Sequence, residues 1–142
     1  MKKSRRKARE LALQGLYQWH VSHNDPAAIE AQLRDNELYS ASDDVYMSEV
    51  LHGVVGAATE LEALLVPHLD RPSAELSPIE HAILLIAGFE LVHKTDIPYR
   101  VVINEAIELA KSYGGTDGHK YVNGVLDKLA ASLARSDPAR TS

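Results

Sequence analysis

Ser77-Pro78-Ile79-Glu80-His81-Ala82-Ile83-Leu84-Leu85-Ile86-Ala87-Gly88-Phe89-Glu90-Leu91-Val92-His93-Lys94 opens with a helix signal and then stays apolar almost all the way round. Ser77 and Glu80 form a capping box, in which the hydroxyl and the carboxylate can each accept from a free backbone donor of the first turn. Proline suits the first helical position, where its missing N–H costs nothing. A helix to about Lys94 follows, and its middle has no polar face. Such a helix is either central in a bundle or keeps a second face for a partner. Its longest apolar run, Ala82 to Phe89, is eight residues, far short of the roughly 20 that cross a bilayer.

Upstream, the spacing predicts three more helices. The first starts after Ser4 and runs to about His23, with Ala8, Leu11, Ala12, Gly15, Leu16 and Trp19 on one stripe. Asp25-Pro26 caps a short second helix to about Glu37, with Ile29 and Leu33 inward, and a polar loop from Tyr39 to Asp43 follows. The third is expected from about Asp44 to Val66, its stripe built from Met47, Val50, Leu51, Val54, Ala57, Ala58, Leu61, Leu64 and Leu65; Pro67 and Pro72 mark its end. Downstream, Pro98 opens a helix from Tyr99 to Tyr113 with Val102, Ile103, Ala106, Ile107 and Ala110 inward. Gly114-Gly115 is expected to supply a left-handed residue that stops it. Asp117 or Gly118 starts the last helix, with Val122, Val125, Leu126, Leu129 and Leu133 inward. No segment reads as a strand. The fold class is all-α, a compact bundle of about six to seven helices in one domain over 1–142, with 1–4 and 136–142 expected to be flexible.

Composition agrees with a folded globule: 142 residues, 45% hydrophobic, six Pro and eight Gly, enough chain for a core without disulfide or metal staples. The absence of Cys excludes disulfides, thiolate nucleophiles and sulfur-ligated metals, and suits a reducing cytosol. The basic N-terminus leads into a polar amphipathic segment and not into the apolar core of a secretory signal, so a cytoplasmic location is expected. Net charge is −5, but Lys2, Lys3, Arg5, Arg6, Lys7 and Arg9 gather in the first nine residues without an acid. The local field, and not the total, governs nucleic-acid binding.

Two groupings carry that chemistry. On the first helix Arg6, Leu13 and Tyr17 fall within about 40° of one another, away from the centre of the apolar stripe, with Arg9 at the border. Guanidinium groups pair with phosphate and a neighbouring ring can stack on an unpaired base; alternatively Tyr17 simply edges the core. In Asp117-Gly118-His119-Lys120-Tyr121, free backbone donors at a helix start, a lysine and a ring off the apolar stripe make a second candidate. Its bland reading is a boundary tyrosine with a solvated hydroxyl. His20 and His23 have helical spacing, yet no matching acid or histidine completes a metal set. Glu105 and Glu108 read as a solvated face. No phosphate loop, nucleophile elbow or Ser/His/Asp grouping is visible, so neither catalysis, cofactor nor metal is expected.

Arg5-Arg6-Lys7-Ala8-Arg9-Glu10-Leu11-Ala12-Leu13-Gln14-Gly15-Leu16-Tyr17 resembles the arginine-rich first helix of the bacterial NusB antitermination family. The resemblance is stronger in Ile97-Pro98-Tyr99-Arg100-Val101-Val102-Ile103-Asn104-Glu105-Ala106-Ile107-Glu108-Leu109-Ala110-Lys111 and in Lys120-Tyr121-Val122-Asn123-Gly124-Val125-Leu126-Asp127-Lys128. It implies two small helical subbundles packed together. It also implies binding to single-stranded boxA RNA of ribosomal RNA leaders, a partner in the small-subunit ribosomal protein NusE, and loading of a termination-resistant elongation complex. Carried onto this chain, the RNA-contacting positions are Arg5, Arg6, Arg9, Tyr17, Asp117, Lys120 and Tyr121, and the partner-contacting ones Glu80 and Leu84. Two departures stand out. Gly118 replaces a frequent serine and removes a capping hydroxyl, and Tyr121 replaces a frequent phenylalanine.

Two other classes fit part of this pattern. A similar helical domain precedes the catalytic region of RNA cytosine methyltransferases, but no α/β cofactor-binding region follows here. A protein-only helical adaptor would use its basic end for solubility, and RNA binding separates it from the first reading.

Overall fold

The first helices begin where a short polar side chain reaches a free backbone N–H. In the computed structural model, which describes residues 3–133, Ser4 Oγ accepts from Lys7 N at 3.1 Å and starts α1 (Arg5–Ser22). Asp25 Oδ1 accepts from Ala27 N at 3.0 Å ahead of α2 (Pro26–Leu33), and Asp43 Oδ1 accepts from Tyr46 N at 3.0 Å ahead of α3 (Asp44–Gly56). Each cap contributes about 1 kcal/mol. His23 closes α1 in the left-handed conformation, φ 57°, its N–H donating to Trp19 O at 2.8 Å, so this histidine serves as a C-cap. The remaining helices are α4 (Ala58–Leu65), α5 (Pro78–His93), α6 (Tyr99–Tyr113) and α7 (Gly118–Ser132), with short 3-10 turns at Tyr39–Ala41, Val66–His68 and Ser73–Glu75. Seven α-helices and no strand occur among the described residues, and the fold is all-α as expected.

The chain divides into two compact units, one ending at Ala57 and the other starting at Ala58. In the first, α1 packs on α2 and α3, with Leu11, Leu16, Ile29, Met47 and Leu51 buried. Gly15 is required by that approach: a Cβ there would lie 3.1 Å from Leu33 Cδ1 and 3.2 Å from Leu51 Cδ1. The start of α1 is tied to the turn before α3, because Ser4 N donates to Ala41 O and Asp43 N to Ser4 O, each at 2.9 Å. Lys3 Nζ donates to Ser40 O at 3.1 Å. Of the residues expected to be flexible, Lys3 and Ser4 make these bonds, and 1–2 and 136–142 lie outside the described residues.

In the second unit α5 is the central element, packed by α4, α6 and α7, and every residue from Ala82 to Leu91 is buried. Each fully buried leucine there contributes on the order of 1.5–3 kcal/mol by leaving water. Glu62 pairs with His81, and Glu60 Oε1 with His93 Nε2 at 3.1 Å, tying α4 to α5 at two heights. Of the two roles open to this apolar helix, centrality is the observed one. No single helix among the described residues is long and apolar enough to cross a membrane.

Four expectations are corrected. The second helix stops at Leu33, before Glu37, because the chain tightens into three-residue turns (Asp35 N to Gln32 O, Asn36 N to Leu33 O) and Asn36 Oδ1 accepts from Leu38 N at 2.9 Å. The third helix is two, broken at Ala57, φ −107° and ψ 14°. Gly53 and Gly56 weaken the helix there by about 1 kcal/mol each, while the apolar spacing runs on undisturbed. On α6 Leu109 is buried and Ile107 only partly so. Gly114 ends α6 in an extended conformation, φ −85°, and not a left-handed one. Glycine is needed because a Cβ would meet Ala110 O at 2.7 Å.

Candidate nucleic-acid interface

Helix α1 carries three of the four arginines of the first unit, and its geometry separates them by role. Arg5 and Arg6 occupy the exposed first turn. Arg5 lies with its guanidinium 4.2 Å from the ring centroid of Tyr46 on α3. Arg9, one turn on, approaches the same ring at 5.5 Å and is only 4% exposed. A guanidinium so covered presents almost no surface to a phosphate. Where RNA contact was expected, Arg9 is covered and lies against Tyr46. Tyr17 is 41% exposed and available for stacking. It stands about 16 Å along the axis from Arg6, and Leu13 between them is 1% exposed. The apolar stripe is thus wider than the spacing suggested, and the face proposed for Arg6, Leu13 and Tyr17 is interrupted by core.

In the second unit Asp117, Lys120 and Tyr121 share one helical start. Asp117 takes a left-handed conformation, φ 63°, and makes no side-chain cap; Gly118 N donates instead to Gly115 O at 3.0 Å and Lys120 N to Asp117 O at 3.1 Å. Lys120 Nζ sits 3.4 Å from Asp117 Oδ1, both side chains well exposed. Tyr121 is half-buried. Its hydroxyl accepts from Asp70 N at 3.4 Å, and burial, helped by the Asp70 charge, holds its phenol above the ordinary range. The Arg71 guanidinium lies 4.8 Å from the ring centroid and grips Asp70 through Nε and Nη2 at 2.6 and 3.1 Å.

Tyr46, Asp70 and Arg71 were not found from the sequence. Tyr46 had a signal, because it stands four residues before Val50 on the buried stripe of α3. Arg71 had none, since its meeting with Tyr121 spans fifty residues and a loop marked only by Pro67 and Pro72.

Glu80 and Leu84 share one side of α5 but not one environment. Ser77 Oγ accepts from Glu80 N at 3.2 Å, which is half of the expected capping box. The Glu80 carboxylate instead accepts from Gly115 N at 3.3 Å. A Cβ on Gly118 would lie 2.5 Å from Glu80 Oε2, so the missing side chain makes room for that carboxylate. Leu84 is 0% exposed. Its assignment as contact area for a partner is corrected: it lies in the middle of the central helix, where it fills core.

The profile of the NusB family matches residues 6–131 of this chain. The transcription antitermination protein NusB of Nitrosospira multiformis is 60% identical over 129 residues, which cover 91% of this chain and 82% of that protein. Among solved structures, NusB of T. maritima superposes with a TM-score of 0.84 at 28% identity, over 98% of this chain and 96% of the other. A crystal structure of the antitermination factors NusB and NusE in complex with dsRNA superposes with a TM-score of 0.82 over 90% and 96% of the two chains. At 22% identity, that likeness speaks for the fold alone.

Proposed function

The chain belongs to the NusB family, and from that membership we propose that it is a transcription antitermination factor acting by binding, without catalysis, in the cytoplasm. Its RNA ligand is single-stranded boxA of ribosomal RNA leaders. Its protein partner is NusE, and the pair on boxA helps assemble an elongation complex that resists termination. The observation that carries this reading is the start of α7, where the Tyr121 ring and the exposed Lys120 stand together at a helix N-terminus without a side-chain cap. A ring for a base and cations with N–H groups for phosphate are what an unpaired strand requires. Arg5, Arg6 and Tyr17 supply the same chemistry on the first unit.

Glu80 is the partner-facing residue retained from the family resemblance, as an acid that selects a basic surface. Its bond to Gly115 N supports coupling, because a partner drawing on that carboxylate disturbs the turn that carries Asp117 and Lys120. RNA and NusE should then bind with a coupling of about 1–3 kcal/mol. The test is fluorescence anisotropy of a short boxA RNA and a scrambled control, with and without NusE, followed by calorimetry of Glu80→Lys against NusE. Equal binding of both RNAs overturns the function; unchanged NusE affinity in a folded Glu80→Lys protein moves the partner surface elsewhere.

A further inference from the structure

The loop between the 3-10 turns Val66–His68 and Ser73–Glu75 holds an arginine that nothing in the family resemblance assigns. Arg71 covers one face of the Tyr121 ring at 4.8 Å and is gripped at both ends of its fork by Asp70, at 2.6 and 3.1 Å. We propose that Arg71 is a phosphate-binding residue for the nucleotide that stacks on Tyr121, and that Asp70 occupies its fork until an RNA phosphate replaces it. The proposal rests on the reading of Tyr121 as a base-stacking residue.

Three observations support the exchange. A guanidinium fork fits a carboxylate and a phosphate with the same two parallel bonds, so Asp70 already displays the geometry that a phosphate would take. The two side chains are 47% and 61% exposed, which leaves the pair open to solvent and weakly held. The loop is tied to the ring, because Asp70 N donates to the Tyr121 hydroxyl at 3.4 Å. Arg71 therefore stays beside the ring whichever anion it holds. Lys120 and Asp117 repeat the arrangement one turn away at 3.4 Å. In these two pairs each cation is held by a carboxylate, which masks its attraction for RNA. Asp70 is the cost of that masking, since its freed charge lies beside the incoming strand.

The experiment is anisotropy titration of a single-stranded boxA RNA at several salt concentrations against the full chain and its variants, with thermal melts to confirm folding. Asp70→Asn should bind about threefold more tightly, and Arg71→Gln about tenfold more weakly with a salt slope shallower by about 0.7. Arg71→Lys should keep the slope. In the double variant the gain from Asp70→Asn should disappear. Failure of Asp70→Asn to tighten binding, or a weaker Arg71→Gln with an unchanged slope, overturns the proposal and leaves Arg71 as a prop for the ring. If Tyr121→Ala loses affinity while neither loop variant changes it, the proposal alone falls. If folded Tyr121→Ala also binds normally, the stacking reading falls and takes the proposal with it.

Discussion

Arg6 and Arg9 stand three residues apart on α1, and burial gives them different consequences. Arg9→Ala removes a 4% exposed side chain packed on Tyr46, and should cost about 1–2 kcal/mol of stability in urea unfolding. Arg6→Ala should leave the midpoint in place and weaken RNA binding. A stable Arg9→Ala protein with weakened RNA affinity would return Arg9 to the phosphate set. Tyr121→Ala should lose roughly 1–3 kcal/mol of RNA affinity while keeping its circular dichroism, and Tyr121→Phe should lose less, since it keeps the stacking face and gives up only the hydroxyl that accepts from Asp70 N. At this scale the sequence was informative wherever a role follows from local spacing. Asp117, Lys120 and Tyr121 do share one turn, as their adjacency at a helix start required. It misled for Arg9, Leu13 and Leu84, because the width of a buried stripe depends on neighbours that a single helix cannot report.

Helix α2 is attached to α3 by one carboxylate. Glu30 Oε1 accepts from Ser48 Oγ at 2.8 Å and pairs with His52 Nε2 at 2.6 Å, while Arg34 lies 3.7 Å from Oε2. Burial pushes the Glu30 pKa up, but the bonds from Ser48 and His52 and the charges of His52 and Arg34 outweigh it, leaving the group below its ordinary 4.5. The folded protein then binds fewer protons than the unfolded chain in this range. The contribution is fully present above pH 4.5 and is lost as pH falls through the lowered value. Glu30→Gln should accordingly melt below the wild type at neutral pH, and the gap should close in strong acid. A gap constant with pH would exclude the ionic origin. Gly15→Ala should cost about 1–3 kcal/mol by crowding Leu33 and Leu51, read as a lower urea midpoint. Helix starts were legible because Ser4, Asp25, Asp43 and Ser77 are local caps. The break at Ala57 was not, because apolar residues at helical spacing continue on both sides of it.

Across the whole molecule, exposed cations set the salt response. Among the cations assigned to RNA, Arg9 is buried and Arg5, Arg6, Lys120 and Arg71 are left, and three to four phosphates at about −0.7 each give a slope of log affinity against log salt of roughly −2 to −3. A flat response in anisotropy would remove the electrostatic argument. Division at Ala57 could not be read from composition, because no proline- or glycine-rich linker separates the units. It has a consequence in time. Helices α1, α2 and α3 all end before Ala57, so the partners for that core are synthesised 64 residues ahead of Tyr121. At about 5–20 residues per second, translation puts roughly 3–13 s between Ala57 and Tyr121, far longer than helix formation or collapse requires. The bonds from Lys3 and Ser4 to Ser40 and Ala41 thus join residues that are all synthesised before the tyrosine of α7, and an arrested chain ending shortly after Ala57 and clear of the ribosome should be helical by circular dichroism if the first unit folds ahead of the second.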